Sequence, residues 1–342
     1  MDNDRLAEEI RRKDAEIIRL IRERNEIASG MDADSLRQLG ESNASDFARI
    51  ASESGMDGAV CMSIAKAFNE QAAISLPPVK AHDPKRVAVV GGAGKMGKWT
   101  SDFLSASGHS IIVIDPASGN GRTLKDCANA DIVVVSVPIH ATAFVIRELD
   151  GICRDDALIF DLTSLKSTVV GVLRDMAGRG RRVCSVHPMF GPSARSLSGR
   201  NLIVCDCGNG DAVKEVTGLF AGRGGNIRTM EIEQHDEYMS YVLGLSHAVN
   251  IAFFTVLERS GISFGDMQTV ASTTFRKIMD TNASVALEDP LLYYEIQHLN
   301  DNRDDIWRMF SKAVKDLREA SLSDDPSKFV ELMQKGRNYF TE

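Results

Sequence analysis

Residues 87–115, VAVVGGAGKMGKWTSDFLSASGHSIIVID, leave this chain few ways to fold. The run 87–90 is β-branched and apolar, the composition of a strand buried on both faces of a parallel sheet. Gly92, Gly94 and Gly97 follow in G-x-G-x-x-G spacing, with Lys95 and Met96 at the start of a helix-like segment. Gly92 permits a tight turn, Gly94 lets the backbone approach a pyrophosphate, and Gly97 lets the helix pack closely on the strand. The helix N-terminus offers free N–H groups and a positive dipole end to phosphates. A second apolar run, 111–114, ends on Asp115, about 20 residues beyond the loop, where a carboxylate accepts hydrogen bonds from a ribose 2′-OH. Strand, loop, helix and acid together predict a dinucleotide site. The acid disfavours a 2′-phosphate, which points to NAD rather than NADP; Arg122 is the nearest arginine and could modify that preference.

Strand-like and helix-like segments keep alternating to about Ile232. The further strand candidates are 132–137, 157–161, 183–186 and 202–206, which predicts an α/β fold with an open, mostly parallel, doubly wound sheet of Rossmann type. Ligands of such sheets sit beyond the carboxyl ends of the strands. The candidate functional residues are therefore the polar ones that end each apolar run: Ser136, Val137 and Pro138 with His140 behind them; Asp161 to Lys166, which includes Ser164; and His187 to Pro192.

Helical patterns flank this unit. Residues 1–76 contain no proline, and Leu6, Ile10, Ile17, Leu20 and Ile27 recur at helical spacing, with Lys13 and Arg24 in the same seam. Two further helices are expected from Ala33 to Gly55 and from Ala59 to Leu76. Pro77 and Pro78 begin a linker, 77–84, because adjacent prolines cannot continue a helix. A dinucleotide domain is expected over 85–232 and a helical domain over 233–342. Within the latter, Tyr238 to Arg259 is apolar almost all round, as in a helix covered on most sides; this suggests packing against a second subunit and a homodimer. His247 lies in its middle.

A hydrophobic content of 43% and a charged content of 26% are those of an ordinary soluble globular protein. The net charge of -8 provides no basic footprint for nucleic acid or an anionic membrane. No uninterrupted apolar run reaches the ~20 residues of a membrane span, and the charged N-terminus lacks a signal-peptide core; a cytoplasmic protein is expected. None of the six cysteines forms a C-x-x-C pair. Cys205 and Cys207 share one face of a strand, so buried, reduced thiols are expected and no metal site.

Six segments, in order and with matching spacing, resemble the prephenate dehydrogenase family: the glycine loop, VSVPIH at 135–140, DLTSLKS at 161–167, HPMFGP at 187–192, HDEYM at 235–239 and GLSHAV at 244–249. The N-terminal helices resemble an all-helical chorismate mutase, so the layout is similar to that of a bifunctional chorismate mutase/prephenate dehydrogenase. The resemblance implies oxidative decarboxylation of prephenate to 4-hydroxyphenylpyruvate with NAD⁺ in tyrosine biosynthesis. It makes His187 the catalytic base for the 4-hydroxyl, a task suited to a side chain titrating near neutrality. It makes Ser164 the residue that orients that histidine and the hydroxyl, the alternative being a helix N-cap. Ser136, Val137 and Pro138 then border the cofactor. His247 belongs to the substrate pocket, Lys166 assists with charge or is a solvated lysine, and His235-Asp236 caps the connecting helix.

The chain departs from the family pattern in two places. An arginine that binds a substrate carboxylate is often found five residues before an Asp-Pro; here Asp289-Pro290 is preceded by Ser284, and Arg276 is the nearest replacement. This leaves room for arogenate or an amino-substituted prephenate as substrate. In the mutase-like region Arg24 and Gln71 match site residues, but an expected arginine falls on Ala7 and other cations have no counterpart between Gly30 and Ser54. Mutase activity is therefore expected to be weak or absent. A different class, a ligand-sensing protein that kept the fold without catalysis, is disfavoured by His187 and Ser164 together.

Overall fold

A computed structural model describes residues 3–28, 30–31, 33–75 and 81–341. Internal packing divides the chain into two compact units: Met1–Val137, Glu148–Leu162 and Met176–Thr229 form the first, and Pro138–Arg147, Thr163–Asp175 and Met230–Glu342 the second.

The first unit begins with three helices, α1 (Asn3–Ala28), α2 (Ala33–Ser54) and α3 (Gly58–Ser75). The expected seam of α1 is largely uncovered: Ile10, Ile17, Leu20 and Ile27 are all exposed. Residues 77–80 of the expected linker lie outside the described residues.

A seven-stranded sheet follows, in the order β2-β1-β3-β4-β5-β6-β7. Its strands are β1 (Arg86–Val90), β2 (Ser110–Ile114), β3 (Ile132–Val135), β4 (Leu158–Asp161), β5 (Arg182–Pro188), β6 (Asn201–Asp206) and β7 (Asn226–Glu231). The first five are parallel, β1 lying between β2 and β3, while β6 runs antiparallel to β5. All six expected strands are present; β7 is an addition to them. Strand alternation sends Val87, Val89, Ile132, Val134, Leu158, Phe160, Cys184, Val186, Leu202 and Val204 into one core, closed by Leu104 of α4 (Lys95–Ala106) and by Ala212, Val216 and Phe220 of α7 (Gly210–Phe220). The same period of two puts Asp161, Ser185 and His187 on the opposite face.

The second unit contains most of α5 (Ile139–Asp150), most of α6 (Val170–Gly178) and the C-terminal helices. Helix α8 (Ile232–Met239) runs through a π-helical turn, Ser240–Leu245, into α9 (Ser246–Arg259). Then come α10 (Phe264–Thr269), α11 (Thr273–Ala286), α12 (Pro290–His298), α13 (Arg303–Ser321) and α14 (Ser327–Thr341). Their starts are set locally: Ser263, Ser272 and Asp289 each accept a backbone N–H at the helix start, and Pro290 follows at the first helical position of α12. All six cysteines are buried, and none is joined in a disulfide. Burial pushes the Cys127 thiol up to about 12 and Cys153 to about 11, values that keep both protonated.

Candidate active site

In the first unit the carboxyl ends of β1, β3, β4 and β5 form one edge. The tight turn after β1 is made by Gly91, one residue ahead of the expected Gly92: its φ is +79°, and a Cβ there would lie 2.1 Å from the Ser136 carbonyl oxygen. Only glycine tolerates both conditions. At Gly92 a Cβ would meet Val113 and the Val89 carbonyl at 2.9 Å, and at Gly97 it would lie 2.2 Å from the Gly91 oxygen. Gly97 thus brings α4 down onto the loop, as its place in the motif predicts. Gly94 forms the N-cap of α4, and Lys95 and Met96 open its first turn. The loop is a bare-backbone concavity at a helix N-terminus.

Asp115 ends β2 beside this loop. One carboxylate oxygen accepts the Ala93 N–H at 3.1 Å and the other the Ala117 N–H at 2.8 Å. A carboxylate oxygen accepts more than one hydrogen bond, so both keep capacity for ribose hydroxyls. Just beyond β3, the Ser136 N–H donates to the Val90 carbonyl at 2.8 Å, which holds the Ser136–Val137 segment against the loop. These residues fit a dinucleotide: the crowded glycines leave space no side chain can fill, and the acid is oriented by the loop itself.

His187 lies at the far end of the same edge, three strands from β1, or ~14 Å at ~4.8 Å per strand. It is buried, 4% exposed, and pairs with Ile203 of β6. Two residues earlier on the same face, Ser185 donates to the wholly buried Asp161 at 2.5 Å. The motif that follows is braced from α4: Trp99 donates its indole N–H to the Ala194 carbonyl at 2.7 Å, and its ring meets Phe190 edge-on at 4.9 Å. Nothing in the sequence marked Trp99; it is recognisable only by what it touches.

Ser164, Lys166 and His247 belong to the second unit. Ser164 is half-buried in a bend and does not cap α6, which starts six residues later. Lys166 is not the solvated lysine of the alternative reading. Its side chain is fully buried, with Nζ donating to the Thr163 carbonyl at 2.7 Å. His235 and Asp236 lie inside α8 rather than at its start, and the Asp236 carboxylate caps the Lys166 and Ser167 amides instead. At the start of α5, the buried Glu295 of α12 accepts the Ile139 N–H at 3.2 Å and bonds the His140 ring.

His247 is half-buried in α9 with its ring 4.2 Å from that of Tyr293 and its Nδ1 without a hydrogen-bond partner. Loss of solvation pushes its pKa down to about 4, so the imidazole is neutral at physiological pH. Helices α9 and α11 run antiparallel, as the Asn250–Asn282 bond and the Phe253–Phe275 contact show. His247 therefore lies toward the Ser284 end of α11. Arg276 is eight residues from Ser284, ~12 Å down the axis, in a cleft of about 560 Å³ with Phe264, Phe275, Met279 and Asp280. The structure does not bring Arg276 to the place Ser284 occupies on this helix.

In the N-terminal helices, the Arg24 guanidinium stacks on the Phe68 ring at 4.3 Å and desolvation lowers its pKa. Its Nη1 and the Asn25 side-chain oxygen make no hydrogen bond. The Gln71 side chain lies outside the described residues.

Two family models match the chain: the nucleotide-binding domain of prephenate dehydrogenase over residues 100–229 and the dimerization domain of prephenate dehydrogenase over 231–335. A "probable arogenate/prephenate dehydrogenase" of Methanocaldococcus jannaschii is 26% identical over 270 residues, 74% of this chain and 60% of that protein. A "4-amino-4-deoxyprephenate dehydrogenase" of Streptomyces pristinaespiralis is 27% identical over 273 residues, 75% of this chain and 92% of that protein. This chain thus spans less than two thirds of the archaeal relative's length and nearly all of the streptomycete one. Among solved structures, prephenate dehydrogenase from A. aeolicus, in complex with hydroxyphenyl propionate and NAD⁺, shares the fold with a TM-score of 0.61 at 22% identity, covering 77% of this chain and 99% of that one.

Proposed function

The chain belongs to the prephenate dehydrogenase family, and from that premise we propose that it is an NAD-dependent dehydrogenase that oxidatively decarboxylates prephenate or a close relative of it. The observation that carries this reading is the shared strand edge, with a glycine cradle and Asp115 at one end and a buried histidine at the other. Gly92, Gly94, Lys95, Met96, Gly97, Asp115, Ser136, Val137 and Pro138 would hold the dinucleotide. Bound there, NAD⁺ supplies the hydride acceptor. His187 accepts the proton of the ring hydroxyl as C4 is oxidised; loss of the ring carboxylate as CO₂ then makes the ring aromatic. Burial of His187 keeps bulk water from competing for that proton. Ser164 hydrogen-bonds the same hydroxyl. His247, held neutral by its surroundings, offers a hydrogen bond to the substrate without adding charge. Lys166 acts on the site's charge from a buried position. Arg276 contacts a substrate carboxylate; its exposed place in a cleft with Phe264 and Phe275 supports that role, while its separation from Ser284 counts against its replacing an arginine at that position.

A second reading concerns the substrate. Ser284 stands where family members often carry a carboxylate-binding arginine, and the streptomycete relative is named for an amino-substituted prephenate. The alternatives within the class are thus arogenate and 4-amino-4-deoxyprephenate. The enzyme acts as a homodimer in the cytoplasm through its C-terminal helices, and the N-terminal helices contribute little or no mutase turnover.

The test is NAD⁺ and NADP⁺ reduction with prephenate, arogenate and 4-amino-4-deoxyprephenate. One of the three should be turned over with NAD⁺ preferred, and His187→Asn should cost at least 10³-fold in kcat, the upper part of what general acid–base catalysis supplies. Full turnover by His187→Asn refutes the reading, and an unchanged KM in Arg276→Ala removes that residue from it.

A further inference from the structure

We propose that Asp236 is a positioning residue whose buried carboxylate locks the 163–167 turn and so fixes where Ser164 presents its hydroxyl. The inference rests on the role proposed above for Ser164 and adds to it a residue some 70 positions away in the chain.

Asp236 is 6% exposed and its carboxylate is crowded with donors. One oxygen accepts the Lys166 N–H at 2.8 Å and the His235 ring Nδ1 at 2.6 Å. The other accepts the Ser167 N–H at 2.6 Å, the Lys166 N–H at 3.0 Å and the Ser167 hydroxyl. A carboxylate taken out of water is costly unless such bonds replace its hydration. Burial opposes the charged form, yet the His235, Ser167 and Lys166 bonds outweigh it and keep the Asp236 carboxyl below the usual carboxylate range. The acid is thus a fixed anion at two successive backbone amides.

Those amides follow Ser164 by two and three residues. On its near side, the Lys166 ammonium donates back across the bend to the Thr163 carbonyl at 2.7 Å. The residues on both sides of Ser164 are therefore tied down, although the segment has no regular secondary structure of its own. Asp236 is itself held: its backbone carbonyl accepts the Asn300 side-chain N–H at 3.2 Å, and Arg174 of α6 pairs with Glu233 at 2.6 Å and with Glu231 at 3.0 Å, which ties α6 to the start of α8. A loop that must place one hydroxyl is braced from the helix that follows it and from a second helix, as a working site needs.

The experiment is a mutant cycle on the full chain with whichever substrate it turns over. Asp236→Asn turns an acceptor into a donor toward the two amides. It should lower kcat 30- to 100-fold while the KM for NAD⁺ changes less than threefold, and amide exchange across 163–168 should accelerate. Ser164→Ala should lower kcat comparably, and the double variant should be no more than threefold below Ser164→Ala alone, because Asp236 acts through Ser164. Ser167→Ala, which removes a single donor, gives the same test in a milder form should Asp236→Asn fail to fold. It should lower kcat three- to tenfold and add nothing to Ser164→Ala. Multiplying losses in the double variants overturn the inference, as do Asp236→Asn or Ser167→Ala with wild-type kcat beside an impaired Ser164→Ala. Wild-type kcat in Ser164→Ala overturns the Ser164 role and the inference with it.

Discussion

A histidine with a ring for a neighbour and no partner for one nitrogen is a pH-sensitive element of stability. Folding lowers the His247 pKa from 6.5 to about 4 by desolvation. Between those values the unfolded chain binds the proton and the folded one does not, so stability falls as pH drops from 6.5 toward 4 and this contribution levels off below. Because the ring is only half-buried, the effect is discounted to on the order of 1 kcal/mol. His247→Gln should therefore flatten the acid limb of a denaturant-midpoint series between pH 7 and pH 4.5; an unchanged slope would show that the ring is solvated. The same residue scale explains what Asp115 does before any ligand arrives. By accepting the Ala93 amide it stiffens the glycine loop, so the acid proposed above to meet the ribose also shapes the loop proposed to meet the phosphates.

At the scale of elements, the β1-loop-α4 unit depends on how closely α4 approaches β1. A methyl group at residue 97 would meet the Gly91 carbonyl at 2.2 Å, a clash against backbone that only a shift of α4 relieves. Gly97→Ala should therefore cost about 1–3 kcal/mol of stability and raise the KM for NAD⁺ at least tenfold, read by thermal melts and initial rates; a variant with native values for both would mean α4 is free to move. This unit was legible in the sequence because all its determinants are local: apolar runs, glycine spacing and an acid within 29 residues. The antiparallel return of β6 and the presence of β7 were not. β6 (NLIVCD) is buried on both faces and so has the continuous apolar run of a parallel strand, and β7 (NIRTME) is mostly exposed and polar. The Asp236 clamp was hidden for another reason. Its donors and acceptor are 69 and 70 residues apart, and a His-Asp pair beginning a helix looks the same whether it caps that helix or a distant turn. Lys166 was ambiguous in the same way, since a lysine reads as solvated until something buried is seen to receive it.

On the scale of the whole molecule, the stretch Ile232–Arg259 is long and apolar enough to cross a membrane, yet only 22% of its most apolar window is buried in one chain. Val242, Val249 and Val256 recur every seven residues and are 50%, 42% and 67% exposed, with Tyr238 and Tyr241 exposed nearby. A surface of this kind needs a cover, and the match of 231–335 to a dimerization domain favours a second copy over lipid. Within the same stretch Asp236 is bonded by four donor groups and Asn250 bonds Asn282, features of a helix in a protein core rather than in lipid. Sedimentation in detergent-free buffer should give twice the monomer mass at micromolar concentration, and Val256→Glu, which puts a charge onto this exposed apolar face, should shift the equilibrium at least tenfold toward monomer. A monomeric wild type would require another cover for these valines.

The π-helical turn Ser240–Leu245 has a consequence for that long helix. Widening one turn from i→i+4 to i→i+5 bonding adds one residue to the spiral and resets its angular phase by ~100°. Upstream of the reset, Asp236 faces the serine loop; downstream, His247 faces Tyr293. A continuous rod thereby serves two directions that uniform winding would not align, and deleting a single residue from the wide turn would swing His247 about a quarter of the way around the axis while leaving Asp236 in place.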